Sequence, residues 1–295
     1  MKVALFYNEA AGKGVALDEI RAALARSGHQ LVRIVERRSD PRRLLEGEVD
    51  LIAVAGGDGT VSDAARVIAG HGVPLAVVPI GTANNIALGL GVRGPIDEIV
   101  DGWTRAARRP FDLGWVRMSG AESSFLEGVG GGLVPAGIAA HQAQFDAVRT
   151  PASAKLASAI RAYRDALSGL KARRSTVVLD GAPTTDDLLL VEVLNTRAVG
   201  PQLELAEADP SDGRLSVVMA TEAHRGQIDE YLRVLGEGGT ARLSLGAAVV
   251  RNVEIRGWAW IHVDDRLLSV PADGPTWIRI EPAALEVLSP RGAPV

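Results

Sequence analysis

The sequence predicts an α/β N-terminal domain built on a parallel sheet, followed by a C-terminal, mainly antiparallel β-sandwich domain. Three observations carry this. Apolar runs alternate with helix-period segments over residues 1–113. Two of those runs, Leu51-Ile52-Ala53-Val54-Ala55 and Leu75-Ala76-Val77-Val78, are continuous and apolar, as strands buried on both faces of a parallel sheet are. Beyond Phe111-Asp112-Leu113-Gly114 the texture changes to many short apolar runs joined by Gly and Pro turns, the pattern of antiparallel strands.

Element by element, residues 2–7 read as a first strand, 16–26 as a helix stopped near Gly28, and 30–35 as a second strand. Asp40-Pro41 opens a short helix, with Asp as cap and Pro in the first turn. The run at 51–55 is the third strand. Val61, Ala65 and Ile68 then recur at helical spacing until Gly70, and 75–78 is the fourth strand. Residues 86–90 continue as helix, and Pro95 opens another that extends to about residue 106. In the second domain, strands are expected at 115–118, 176–179, 188–195, 215–220, 249–256, 259–263, 277–280 and 285–288, with helices at 152–170 and 224–235. The domains are expected at 1–113 and 114–283, with 284–295 rejoining the first.

With 295 residues, 47% of them hydrophobic, the chain can build two cores. Its formal net charge of -4 argues against nucleic acid as a partner. There is no cysteine, which excludes disulfides, thiolate catalysis and thiolate metal sites and fits a cytoplasmic protein. The first residues turn polar too soon for a secretory signal, and no apolar stretch approaches the ~18 to 20 residues that span a bilayer. The helix at 152–170 has Leu156, Ile160, Tyr163 and Leu167 on one side and Lys155, Arg161 and Arg164 elsewhere. That reads first as a domain helix with a solvated basic face. It leaves room for transient, peripheral contact with a membrane surface; the chain also leaves room for a homodimer.

The chemistry concentrates in two glycine turns, Gly56-Gly57-Asp58-Gly59-Thr60 and Pro79-Ile80-Gly81-Thr82-Ala83-Asn84, each directly after a buried strand. Glycines let backbone approach a ligand closely, and a helix N-terminus adds positive potential, so these turns suit phosphate at the carboxyl ends of adjacent strands. Asp58 among those amides makes sense as a partner for Mg²⁺ or a hydroxyl, since bare carboxylate and phosphate repel. The five histidines show no ligand spacing and read as structural. Neither a G-x-S-x-G elbow nor a G-x-x-x-x-G-K-[ST] loop is present. Gly128-Val129-Gly130-Gly131-Gly132 reads as a bulged strand or turn.

The paired turns resemble those of the diacylglycerol kinase catalytic family, which includes bacterial soluble lipid kinases and is distantly related to NAD kinases. The resemblance covers nearly the whole chain and implies a two-domain, lipid kinase/NAD kinase-like fold with a deep cleft. It implies an ATP- and Mg²⁺-dependent kinase acting on a lipid hydroxyl of the diacylglycerol type. By the same resemblance, Asn8, Gly12 and Lys13 form one wall of the nucleotide site. Gly56, Gly57, Asp58, Gly59, Thr60, Ser62, Gly81, Thr82 and Asn84 form the other. Asp58 would bind nucleotide-linked Mg²⁺ or orient the nucleotide, with Asp112 supporting that metal through water. Asp209, Asp212 and Arg214 match a later Asp-Gly segment that holds a structural Mg²⁺.

The chain departs from the pattern where relatives carry Asp-Gly-Glu, whose Glu is the proposed general base: it reads Asp264-Asp265-Arg266. Arg accepts no proton at neutral pH, so Asp265 or Asp264 becomes the candidate base. The alternatives are a nucleotide-binding pseudokinase and, third, an NAD kinase, which shares Gly-Gly-Asp-Gly.

Overall fold

The computed structural model describes residues 1–11, 17–144, 152–271 and 274–292. The chain divides into two compact units, Met1–Asp112 with Pro282–Val295, and Leu113–Glu281.

The first unit alternates strand and helix. Its elements are β1 Lys2–Tyr7, α1 Leu17–Arg26, β2 Gln30–Glu36, a 3-10 turn Pro41–Leu45, β3 Leu51–Gly56, α2 Asp58–Ile68, β4 Leu75–Pro79, α3 Asn85–Gly89 and α4 Ile96–Gly102. β4, β3, β1 and β2 lie side by side and parallel, and the end of the chain's last strand adds to β4 through Val287 opposite Leu75. Val3 to Phe6 and Leu51 to Ala55 are wholly enclosed, which is why these strands read as continuous apolar runs. Helices cover the sheet through Ile20, Ala23 and Leu24 of α1 and Val61, Ala64, Ala65 and Ile68 of α2. The side chain of Asp40 accepts the Arg42 N–H, the cap its sequence predicts. The returning strand is fixed by Gly70 N–H to the Ala284 carbonyl at 3.0 Å and Ser289 Oγ to the Leu90 carbonyl at 2.9 Å.

The second unit is mainly antiparallel. It holds the later half of β5 Ala107–Met118, then β6 Ala121–Phe125, β7 Gly128–Gly132, α5 Leu133–Gln144, α6 Ala152–Gly169, β8 Arg173–Leu179 and β9 Ala182–Leu194. A short hairpin of β10 Ala198–Val199 and β11 Leu203–Glu204 follows. Then come β12 Leu215–Thr221, α7 Arg225–Gly236, β13 Ala248–Val250, β14 Asn252–Arg256, β15 Trp260–Val263, β16 Arg266–Ser269 and β17 Thr276–Ser289. The strand order is β16-β15-β7-β9-β8-β14-β17, with β12 also on β9 and β13 on β12. β9 pairs with β8 over its first half and with β7 and β12 over its second, so one long strand serves both layers. Val177, Val191, Val217, Ile255, Ile261 and Ile278 belong to one core. Leu190, Leu194 and Val218 turn the other way, onto Leu133, Ile160, Tyr163 and Leu232 of the helices.

Several elements differ from expectation. The helix after Pro95 stops at Gly102, and residues 107–118 form one strand, because its first half alternates half-buried and exposed positions instead of forming an apolar run. The run at 249–256 breaks at Arg251, where the Asp180 carboxylate accepts the N–H groups of Arg251 and Asn252. α5 was not expected, since Pro135, Gly137 and six alanine or glutamine positions give it no amphipathic period. The glycine run 128–132 is a strand without a register shift, paired with β9 throughout and with β15 at residues 129–131, and it ends on Gly132 at φ 89°.

Candidate functional site

In the first unit the two glycine turns meet backbone to backbone. β3 ends at Gly56 and α2 begins at once, with Gly57 as its N-cap and no side chain capping its first N–H groups. Ile80 N–H donates to the Gly56 carbonyl at 3.2 Å. A Cβ on Gly81 would lie 2.4 Å from the Gly57 Cα, and one on Gly56 would lie 2.4 Å from the Thr60 Cβ. Only glycine allows this approach. The result is a tight backbone junction, the cradle, at the carboxyl ends of β3 and β4 and at the positive N-terminal end of α2.

Side chains around the cradle brace it. The Asp58 carboxylate accepts the Ile86 N–H at 3.0 Å, tying the first turn to the helix after the second. Asn84, at φ 53°, clasps its own turn, accepting the Gly81 N–H at 2.9 Å and donating to the Gly81 carbonyl at 3.0 Å. Asn8 donates to Thr60 Oγ1 at 3.1 Å and accepts the Ala10 N–H. Thr60 is buried with its hydroxyl engaged, and Ser62 is buried with a hydroxyl that has no partner among the described residues, so both face inward and not toward a ligand. Thr82 is exposed, and Gly57, Asp58, Gly59 and Gly81 are half-buried. Gly12 and Lys13 lie outside the described residues.

The residues assigned to metal are engaged locally. Asp112, 1% exposed, accepts the Ala283 N–H at 2.7 Å, steadying a residue held at φ 50°. In the second unit, Asp209 accepts from both the N–H and the hydroxyl of Ser211, and Asp212 accepts the Arg214 N–H at 2.8 Å. These are Asx turns that close the loop by themselves. Among the described residues no group of three or more His, Asp or Glu converges on a point that would hold a cation.

Within the second unit, the turn between β15 and β16 holds the candidate bases. Val263 pairs with Arg266, leaving Asp264 and Asp265 as the two turn residues, with Asp264 at φ 53°. The Asp264 carboxylate is buried, accepting N–H groups from Leu126 at 3.1 Å and Glu127 at 2.9 Å, while its own N–H donates to the Gly128 carbonyl. It is a brace, which removes it as the candidate base. Asp265 is exposed and makes no hydrogen bond or ion pair among the described residues. Arg266 donates to Ser123 Oγ at 2.9 Å.

Beneath this turn lies a pair that sequence reasoning did not single out. Glu192 and His262 are wholly buried, with His262 Nε2 2.6 Å from Glu192 Oε1 and Nδ1 2.8 Å from the Asp264 carbonyl oxygen. A carbonyl only accepts, so Nδ1 carries a proton, and the short Nε2 to Oε1 contact requires one more between them. The pair is therefore net neutral while it holds that shared proton. Burial pushes the Glu192 carboxyl up despite the His262 charge. Burial alone would lower His262, but the Glu192 charge and hydrogen bond, with the Asp264 carbonyl, outweigh it and raise the imidazole. Glu192 Oε2 has no hydrogen-bond partner among the described residues and lies across β7, where a Cβ on Gly130 would fall 2.2 Å from it. A charge inside the run 188–194, opposite a strand of glycines, was the available signal.

A parallel α/β unit with an amide cradle, joined to an antiparallel β unit, defines the two-domain class of phosphate-handling kinase folds. Residues 2–116 match the diacylglycerol kinase catalytic domain, and residues 132–289 match the YegS C-terminal NAD kinase beta sandwich-like domain. A diacylglycerol kinase of Mycobacterium tuberculosis is 31% identical over 98% of this chain and 96% of its own length. One of Bacillus subtilis is 28% identical over 63% of this chain and 59% of its own. The chain belongs to the diacylglycerol kinase catalytic family. Its fold also matches the crystal structure of a diacylglycerol kinase from Bacillus anthracis, with TM-score 0.73 and 20% identity over 98% of this chain and 96% of that one.

Proposed function

We propose that the protein is an ATP- and Mg²⁺-dependent lipid kinase that transfers the γ-phosphate to a hydroxyl of a diacylglycerol-like lipid. The observation that carries this reading is the contact of Gly57 with Gly81, which joins two phosphate-suited turns into one cradle on an uncapped helix N-terminus. In this reading the main chain of Gly57 to Gly59 and of Thr82 holds nucleotide phosphates, with the Gly81 N–H spent on Asn84. Asp58, Asn84 and Asn8 keep those amides aimed. Mg²⁺ entering with the nucleotide supplies neutralisation of phosphate charge. That suits a protein whose described residues offer no cage of their own, since Mg²⁺ is commonly held by one or two carboxylates and the substrate phosphates. The cation expected at Asp209 to Arg214 would have to compete with the Asx-turn bonds there.

For the proton of the lipid hydroxyl, Asp265 is the residue of the 264–266 turn whose carboxylate is unengaged. Phosphoryl transfer depends mostly on positioning and electrostatics, so a modest base suffices. Arg266 in place of the family's Glu favours one second reading, a nucleotide-binding pseudokinase.

Purified protein, γ-labelled ATP, Mg²⁺ and a panel of lipid hydroxyl acceptors separate the two. The kinase reading expects labelled lipid, abolished by Asp58→Ala and strongly reduced by Asp265→Asn. Nucleotide binding with no transfer to any acceptor would establish the second reading instead.

A further inference from the structure

Between α4 and the returning end of β17, the first unit contains a cavity of about 470 Å³. Its floor is apolar, formed by Val92, Ile99, Trp103 and Leu288. Its rim carries Arg93, Arg105 and Arg291, against Glu98. Arg105 is held by Asp101 at 2.7 Å, and Arg291 is seated by its Nε donating to the Arg105 carbonyl at 2.8 Å. Arg93 has no hydrogen-bond or ionic partner among the described residues. Three guanidiniums against two carboxylates leave the rim positive, over a volume typical of small-molecule sites. None of the residues of the glycine turns lines it.

We infer that this cavity is a binding site for a single-chain aliphatic anion, an alkyl phosphate or a fatty carboxylate. The chain would lie on Ile99, Leu288 and the Trp103 ring, where its burial removes apolar surface from water. The head would take the guanidiniums, which offer paired N–H donors matched to phosphate and carboxylate oxygens. A neutral alcohol lacks the second interaction and a free phosphate ion the first, so neither alone satisfies the site. The inference does not depend on the kinase reading.

The test is titration of the full-length protein with decyl phosphate below its micelle concentration, followed by calorimetry and tryptophan emission. Decanoate, decanol and inorganic phosphate serve as parallel probes. Decyl phosphate should bind and shift the emission, and Trp103→Phe should remove the shift. Decanol and inorganic phosphate should each bind at least about tenfold more weakly, the loss expected for one missing interaction of about 1.4 kcal/mol. Comparison of decyl phosphate with decanoate identifies which head the rim prefers. Gly102 lines the cavity, and a Cβ there would meet nothing within 4 Å, so Gly102→Leu should plug the site without disturbing the fold. Arg93→Ser with Arg291→Ser should weaken binding at least about tenfold, and both arginines are exposed, so this variant keeps the test open if the leucine variant fails to fold. Absence of binding, binding unchanged in both variants, or displacement of decyl phosphate by ATP would overturn the inference.

Discussion

The cradle of the first unit and the β15–β16 turn of the second solve the same problem, holding a tight turn in place, by opposite means. The cradle is main chain against main chain, Gly57 on Gly81, with Asp58 and Asn84 bracing it from half-exposed positions. The β15–β16 turn is held by ionisable groups withdrawn from water, Glu192, His262 and Asp264. A turn built from backbone is sensitive above all to added volume. One built on a buried proton is sensitive to both charge and pH.

The largest expected effect comes from breaking the buried pair. Glu192→Ala leaves the His262 Nε2 without its partner and opens a void, and should cost about 3 to 5 kcal/mol in denaturant unfolding. Glu192→Gln can still donate to a neutral imidazole and should recover most of that. Equal losses in the two variants would show that only volume matters there.

Next in size is Gly81→Ala, whose methyl would sit on the Gly57 backbone. About 3 kcal/mol of stability should be lost, the upper end for overpacking. Nucleotide affinity should fall more than that of any side-chain brace variant. Unchanged affinity would remove the cradle as the phosphate site.

Asp58→Ala removes the acceptor for the Ile86 N–H and should cost about 1 to 2 kcal/mol. Thermal unfolding measures this directly.

The pH response sharpens the contrast. Glu192 and His262 both have folded-state pKa values raised above their ordinary ones. A raised value means that the native state holds its proton more tightly than the unfolded chain. The stabilisation is therefore full at low pH and is lost as pH rises through the folded values, above the ordinary imidazole range of about 6.5. Melting temperature should decline on the alkaline side in the wild type and stay flat in Glu192→Gln. A decline shared by both would assign the effect to another group.

The smallest effect lies at Ala283, held at φ 50° beside Asp112. Ala283→Gly should stabilise the protein by up to about 1 kcal/mol, the cost of a left-handed alanine.

The first unit was largely legible because its signals are local. Each buried strand is a continuous apolar run, and each is followed at once by its glycine turn and helix. The second unit was less so. The first half of β5, the outer halves of β9 and β17, and α5 carry no clean period, since their burial depends on which strand or helix lies across them. The site divides in the same way. The glycine turns and the exposed Asp265 could be read directly, whereas Ser62 and Asp264 were expected to face a ligand and instead face inward.

By itself the sequence determined where strand, turn and helix follow one another, which two glycine turns close adjacent buried strands, and the family. Those rest on neighbours in the chain, whose glycines and apolar periods fix local conformation. Only the tertiary structure decided that Gly57 touches Gly81, that Asp264 is a brace, and that Glu192 shares a proton with His262. Each depends on residues far apart in sequence meeting in a water-excluded place, where distance and burial set what a carboxylate or an imidazole can do.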